Sequence, residues 1–243
     1  MKADVRVQSR AGVGLASIVF AVLFNVPFSL LGANYDYPKI LRQPAAEALD
    51  KFAAGGNGLI LTWYGFGLAA LALTPLAIAL SITPRRIVTS PALAIGAALA
   101  GTAASITQAI GLFRWVFVVP SLAASHAANA ASTEATFAML NAWGGVAIGE
   151  HMGQWFTALF VLLSALLQRR EGWKITSIIG FIATLLIAIG TGEGLAVAMG
   201  GNGAILALAT ILGFLGLTLW LIVTGANLIY ERRLNSSVYG AKA

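Results

Sequence analysis

The sequence predicts an all-α fold, a six-transmembrane-helix bundle with both termini cytoplasmic and two exoplasmic interfacial helices. Three observations predict it. First, 58% of the 243 residues are hydrophobic and only 10% are charged, against about 25% charged in soluble domains. A soluble chain of this size could not hide so much apolar surface from water. Second, six apolar runs reach the roughly 20 residues a helix needs to cross hydrocarbon. Third, Lys and Arg fall in short clusters between those runs, on alternating sides, which is the positive-inside pattern. Strands are excluded as spans, because they would show alternating segments of about 10 residues.

The elements follow in chain order. Lys2, Arg6 and Arg10 precede the first run, residues 11–32. Its spanning length and the five similar runs behind it mark a retained helix rather than a cleaved signal. Residues 33–57 form the first exoplasmic loop, where Ile40, Leu41, Ala45, Ala48, Leu49 and Phe52 fit an amphipathic helix on the membrane surface. Lys39, Arg42, Glu47, Asp50 and Lys51 would mostly face water. The second span covers residues 58–82, and the tight turn Thr83-Pro84-Arg85-Arg86 leads to the third, residues 89–113, which runs on past Arg114 toward Pro120. The second long loop, residues 121–143, carries Ser132 as an N-cap for a helix over residues 133–141, with Phe137, Leu140 and Trp143 dipping into the interface. Spans four to six cover residues 144–167, 174–199 and 203–230. No repeat, linker or low-complexity tract divides the chain, so residues 1–243 read as one membrane domain.

Orientation follows from the basic residues. Lys2, Arg6, Arg10, Arg85, Arg86, Arg169, Arg170, Lys174, Arg232, Arg233 and Lys242 fall on one side; Lys39, Arg42 and Lys51 fall on the other. The richer side is predicted to be cytoplasmic. The net charge of +6 therefore has a topogenic origin, and nucleic acid is not an expected partner; the lipid bilayer is.

With no Cys, disulfides, thiolate metal sites and cysteine catalysis are excluded. His126, His151, Glu150, Met152 and Asp36 are the metal candidates. A bis-His haem would need His126 and His151, and neither His-x3-His nor Glu-x-x-His spacing supports it; no cofactor is indicated. There is no Gly-x-Ser-x-Gly motif, and Ser121, Ser125 and Ser132 beside His126 read as solvated loop residues. The glycines around Glu193 and Asn202 follow no strand, so they are not nucleotide-binding turns.

Ionisable residues inside spans are costly and therefore informative. Arg114, Glu150, His151 and Glu193 each lie roughly 10 Å below the exoplasmic boundary, counted at 1.5 Å per residue. Asn25 and Tyr64 count to the same layer, and Gln154 sits one turn below Glu150. The economical arrangement pairs Arg114 with one glutamate. Glu150 and His151 point about 100° apart, so one faces the bundle centre and the other a neighbouring helix or loop. Gly149-Glu150-His151-Met152-Gly153 fits the small-xxx-small spacing of close helix contacts.

Three functions fit this layer. The first is a pocket in the exoplasmic half that binds or transports a small polar or lipid-headgroup ligand, lined by Arg114, Glu150, His151, Glu193, Gln154, Tyr64 and Asn25. The second is an accessory subunit of a larger membrane complex, with the layer serving helix packing and Trp115, Trp143, Trp155 and Trp220 meeting partners or lipid. The third is an intramembrane enzyme acting on a lipid-linked substrate, for which no catalytic residue stands out.

Four stretches, residues 37–44 (Tyr-Pro-Lys-Ile-Leu-Arg-Gln-Pro), Thr62-Trp63-Tyr64, residues 112–120 (Leu-Phe-Arg-Trp-Val-Phe-Val-Val-Pro) and Gly149 to Gly153, resemble in order and spacing a family of small bacterial polytopic inner-membrane proteins catalogued as a domain of unknown function. The resemblance covers about residues 11–230. It implies a bacterial inner-membrane, multi-helix protein and no particular activity, and it places Arg114 and Glu150 among the residues that carry the likeness.

Overall fold

Six helices long and apolar enough to cross a membrane are present among the described residues: Ala11–Tyr35, Ala45–Ser81, Pro91–Ser125, Ala130–Arg170, Lys174–Ala198 and Ala204–Tyr230. The computed structural model describes residues 10–240, with side chains as far as Tyr230. Lys2, Arg6 and Lys242 lie outside the described residues, as do the side chains of Arg232 and Arg233. In order, the elements are α1 (Ala11–Tyr35), a 3-10 turn (Lys39–Arg42), α2 (Ala45–Ser81), α3 (Pro84–Thr89), α4 (Pro91–Phe117), α5 (Val119–Ser125), α6 (Ala130–Leu140), a π-helical stretch (Asn141–Met152), α7 (Gly153–Arg170), α8 (Lys174–Gly190), α9 (Gly192–Ala198) and α10 (Ala204–Gly240).

The long helices form a closed ring in chain order. α1 packs on α2, α2 on α4, α4 on α7, α7 on α8, α8 on α10, and α10 closes on α1. Short connections make sequential neighbours antiparallel. At one end, Arg86 forks onto Glu171 at 2.6 and 2.5 Å, and Arg10 donates to the carbonyls of Ala79 and Leu80 at the end of α2. This is the basic end of the bundle.

The opposite end is roofed by the chain itself. α2 bends sharply at Gly56, whose φ of 55° and ψ of −155° define a region open essentially to glycine alone. The half-helix before the bend folds back over the bundle. Its Ala48, Leu49 and Phe52 are buried against Tyr35, Trp63, Trp115 and Phe137. The sequence reading laid this apolar face on the membrane surface; the structure lays it on protein, because α1, α2 and α4 present a cluster of aromatic rings at that end. Trp63 and Trp115 stack with centroids 4.9 Å apart and 9° between planes, and Tyr35 meets both edge-on. Such pairs contribute roughly 0.5–1.5 kcal/mol each beyond their burial. The Tyr35 hydroxyl donates to the Ala48 carbonyl at 2.9 Å, pinning the half-helix down.

The second long loop also differs from expectation. α6 begins at Ala130 with Asn129 before it, so Ser132 lies inside the first turn and donates back to the Asn129 carbonyl. No break separates α6 from α7; the π-helical stretch joins them into one rod from Ala130 to Arg170. Phe137 is buried in the aromatic cluster, while Trp143 is exposed. Of the tryptophans read as outward contacts, Trp115 and Trp220 are fully buried, and Trp143 and Trp155 face outward.

Candidate functional site

The π-helical stretch places Glu150, and such stretches occur frequently at functional sites. It lies against α4 backbone to backbone. A Cβ added at Gly149 would come within 2.8 Å of the Gly111 Cα, and one added at Gly153 within 2.8 Å of Gln108. The small-xxx-small pair therefore faces α4, and the close approach brings Glu150 to the level of Arg114.

Beneath the roof is a cavity of about 240 Å³, walled by α1, α2, α4, the π-helical stretch with the start of α7, and α10, and closed above by the 3-10 turn and α9. Arg114, Glu150, Glu193, Gln154 and Asn25 all line it. His151 and Tyr64 do not. His151 turns toward the end of α8, where its Nδ1–H donates to the Thr191 carbonyl at 2.9 Å. Tyr64 is 41% exposed on the outer face beside Phe113. Asn25 is deeper than the expected layer. It donates to Thr218 at 3.0 Å, and Thr218 lies about 21 Å along α10 from Ala204 at 1.5 Å per residue. α1 continues to Tyr35 rather than ending near Gly32, which pushes Asn25 down by a turn.

The ion pairing also differs from the expected Arg114–glutamate pair. Arg42, expected to face water, reaches under the roof and binds both carboxylates: Glu150 at 2.5 and 3.4 Å, Glu193 at 3.0 Å. Burial alone would disfavour its charge; Glu150 and Glu193 more than offset that and raise its pKa. Arg114 instead uses neutral acceptors, donating to the Gly111 carbonyl and, at 2.9 Å, to the Asn141 side chain. Asn141 passes the link on to the Leu41 carbonyl at 3.2 Å. Gly145 makes the space, since a Cβ there would sit 2.5 Å from the guanidinium. The Trp115 ring lies 5.0 Å from the same guanidinium carbon.

Deeper in the cavity Gln108 donates to Thr157 at 2.7 Å. Thr210 approaches Gln154 at 3.5 Å, the limit of a hydrogen bond. Aromatic and aliphatic side chains, Phe24, Phe28, Phe66, Leu112 and Phe214 among them, fill the remaining wall. Sequence reasoning missed Arg42, Trp63, Trp115, Tyr37 and Gln108 as cavity residues. The first four lie in stretches that carried the family resemblance, the one signal that pointed to them.

At the roof, His126 is held between two carboxylates, Asp50 at 2.7 Å on Nδ1 and Glu134 at 3.0 Å on Nε2. They take opposite sides of the ring, so the three do not converge on one ion. Among the described residues, no group of three or more His, Asp or Glu side chains is arranged to hold a metal.

Six apolar helices around a cavity with a charged roof define a multi-pass integral membrane protein. Residues 13–225 match the family model described as Domain of unknown function (DUF4386), and the chain belongs to that family. No curated protein and no solved structure matches the chain.

Proposed function

We propose that this protein binds a small polar or lipid-headgroup ligand in the roofed cavity, within a bacterial inner membrane and with the roof on the outer side. The observation that carries the reading is the cavity itself. Polar residues that serve only to glue helices bond across closely packed interfaces. Here about 240 Å³ of space separates Arg114 from the deeper Gln108, Gln154 and Asn25, and an apolar cavity of about 150 Å³ already admits benzene. The gathering of Arg10, Arg86 and Arg170 at the opposite end supports the orientation. Convergent polar groups in an otherwise apolar cleft are the usual form of a small-molecule site.

The test is a high-resolution map of the full chain purified with its native lipids. Non-protein density between Arg114 and Phe214 is the expected result. A cavity closed by repacked side chains, or one holding only water, would overturn the reading and leave the polar layer as helix glue.

A further inference from the structure

Three residues that line the cavity each carry a buried nitrogen with no protein partner: Arg114 Nε, Trp63 Nε1 and Trp115 Nε1. All three are N–H donors. The other two orphaned side-chain atoms among the described residues, the hydroxyls of Ser81 and Ser164, do not line this cavity. The unmet demand at the cavity is thus for an acceptor. Arg114 is 7% exposed and has no carboxylate within ion-pair distance among the described residues; Glu150 and Glu193 pair with Arg42, and Glu150 acts on Arg114 only across space. The face of Trp115 offers it a quadrupole rather than a counter-charge. A buried cation with neutral partners is completed by an anion.

The rest of the cavity asks for an apolar body. Its wall on α10 runs from Ala207 to Thr218 and includes Phe214, about 16 Å at 1.5 Å per residue, and Phe24, Phe28 and Phe66 line it from α1 and α2. α1 and α10 are tied at Ser17–Leu221 and Asn25–Thr218, and Phe24 stacks on Phe214. Past that ring pair, no hydrogen bond or ring contact joins the two helices among the described residues. Ile211 and Leu215 line the cavity there and are 36% and 55% exposed, so at this depth only the α10 side chains stand between the apolar chamber and the outside of the bundle.

We propose that the ligand is an amphiphile with an anionic oxygen head, a carboxylate or a phosphate. The head accepts from Arg114 and the two indoles, and the tail lies between α1 and α10. This rests on the pocket reading and gives it a ligand class.

The experiment uses the full chain in neutral maltoside micelles, titrated separately with dodecanoate, dodecyl phosphate, dodecyltrimethylammonium, acetate and inorganic phosphate. Adducts are counted by native mass spectrometry and affinity is read from tryptophan fluorescence. Dodecanoate and dodecyl phosphate are expected to bind one per chain, with the cation and the two soluble anions weaker by about tenfold or more. Arg114→Gln is expected to remove that preference, and the Trp63→Phe/Trp115→Phe double variant to reduce it while keeping the rings. Equal binding of the cationic amphiphile would overturn the anionic head and leave the pocket reading standing. Acetate or phosphate binding as tightly as the amphiphiles would overturn the tail. Binding of none of the five would remove the pocket reading as well. If Arg114→Gln does not fold, the wild-type ligand series decides by itself.

Discussion

Replacing Arg42 by Met removes the cation that holds Glu150 and Glu193 at the cavity roof, and the geometry sets the size of the effect. Arg42 forks onto Glu150 at 2.5 and 3.4 Å and reaches Glu193 at 3.0 Å. At an effective dielectric near 20, unit charges about 4 Å apart attract by roughly 4 kcal/mol. The three side chains are 26%, 22% and 14% exposed, so water recovers part of what each ion loses. The expected loss lies between the 0–1 kcal/mol of a surface pair and the 3–5 kcal/mol of a buried pair broken on one side, at about 2–4 kcal/mol. For a chain of this length that is a fall in Tm of roughly 4–16 °C, at 2–4 °C per kcal/mol. Thermal unfolding in detergent, followed by tryptophan fluorescence, measures it. The triple variant Arg42→Met/Glu150→Gln/Glu193→Gln, which leaves no orphaned charge, is expected to recover most of the loss. A single variant within 1 °C of wild type (on the order of experimental scatter on that scale), or a triple variant no better than the single, would refute the argument that Arg42 is needed as a counter-ion.

Two further outcomes follow from the same geometry. The hydrogen bonds of His126 to Glu134 and Asp50 raise its pKa above the usual value of about 6.5; its contribution to stability is fully present below that value and is lost as pH rises through the folded-state pKa. His126→Gln should therefore flatten the dependence of Tm on pH above about 6.5, and an unchanged slope would count against the triad. Gly149→Val places a branched side chain where a single Cβ already lies 2.8 Å from the Gly111 Cα; overpacking of this kind costs typically 1–3 kcal/mol, read as a fall in Tm, and a Tm equal to wild type would show that the two helices separate freely.

The count and order of the spans were legible because crossing hydrocarbon demands a length of apolar chain that little else in a sequence imitates. Helix ends were less legible. Ala48, Leu49 and Phe52 satisfy the same pattern whether lipid or protein covers them, so periodicity alone placed their helix on the membrane surface. The sharp bend at Gly56 that folds it onto the bundle leaves no periodic mark. The charges show the same division. Arg114, Glu150 and Glu193 stood out because charge inside an apolar run is rare. Arg42 did not, because charge in a loop is ordinary and only the folded roof reveals where it points. Tyr64 and Asn25 were assigned by counting from presumed helix ends. Counting fixes neither the direction a side chain faces nor a boundary that lies a turn further on, as it does at Tyr35.

The roof is held by apolar docking throughout and by the Arg42 ion pairs on one side, which determines where it can loosen. On the α2 and α4 side, Ala48, Leu49 and Phe52 are buried in the aromatic cluster and Tyr35 bonds the half-helix backbone. On the side of the π-helical stretch and α9, polar ties are added to apolar ones: the Arg42 ion pairs and the bond from Asn141 to the Leu41 carbonyl sit beside the buried Ile40 and Leu41 and the edge-on contacts of Tyr37 with Phe28, Trp63 and Phe66. Apolar docking is lost only when the whole face lifts away, whereas ion pairs break one at a time. Opening free energies within a protein therefore need not be uniform. Loss of the ion pairs should therefore loosen the Arg42 end of the 3-10 turn, beside Glu150 and Glu193, while the half-helix stays docked. Hydrogen exchange on Arg42→Met tests this directly. Amides of residues 40–43 should exchange faster than in wild type while those of residues 48–55 keep their protection. Equal acceleration in both segments would mean that the roof comes away as one unit, and the division between its two sides would carry no consequence.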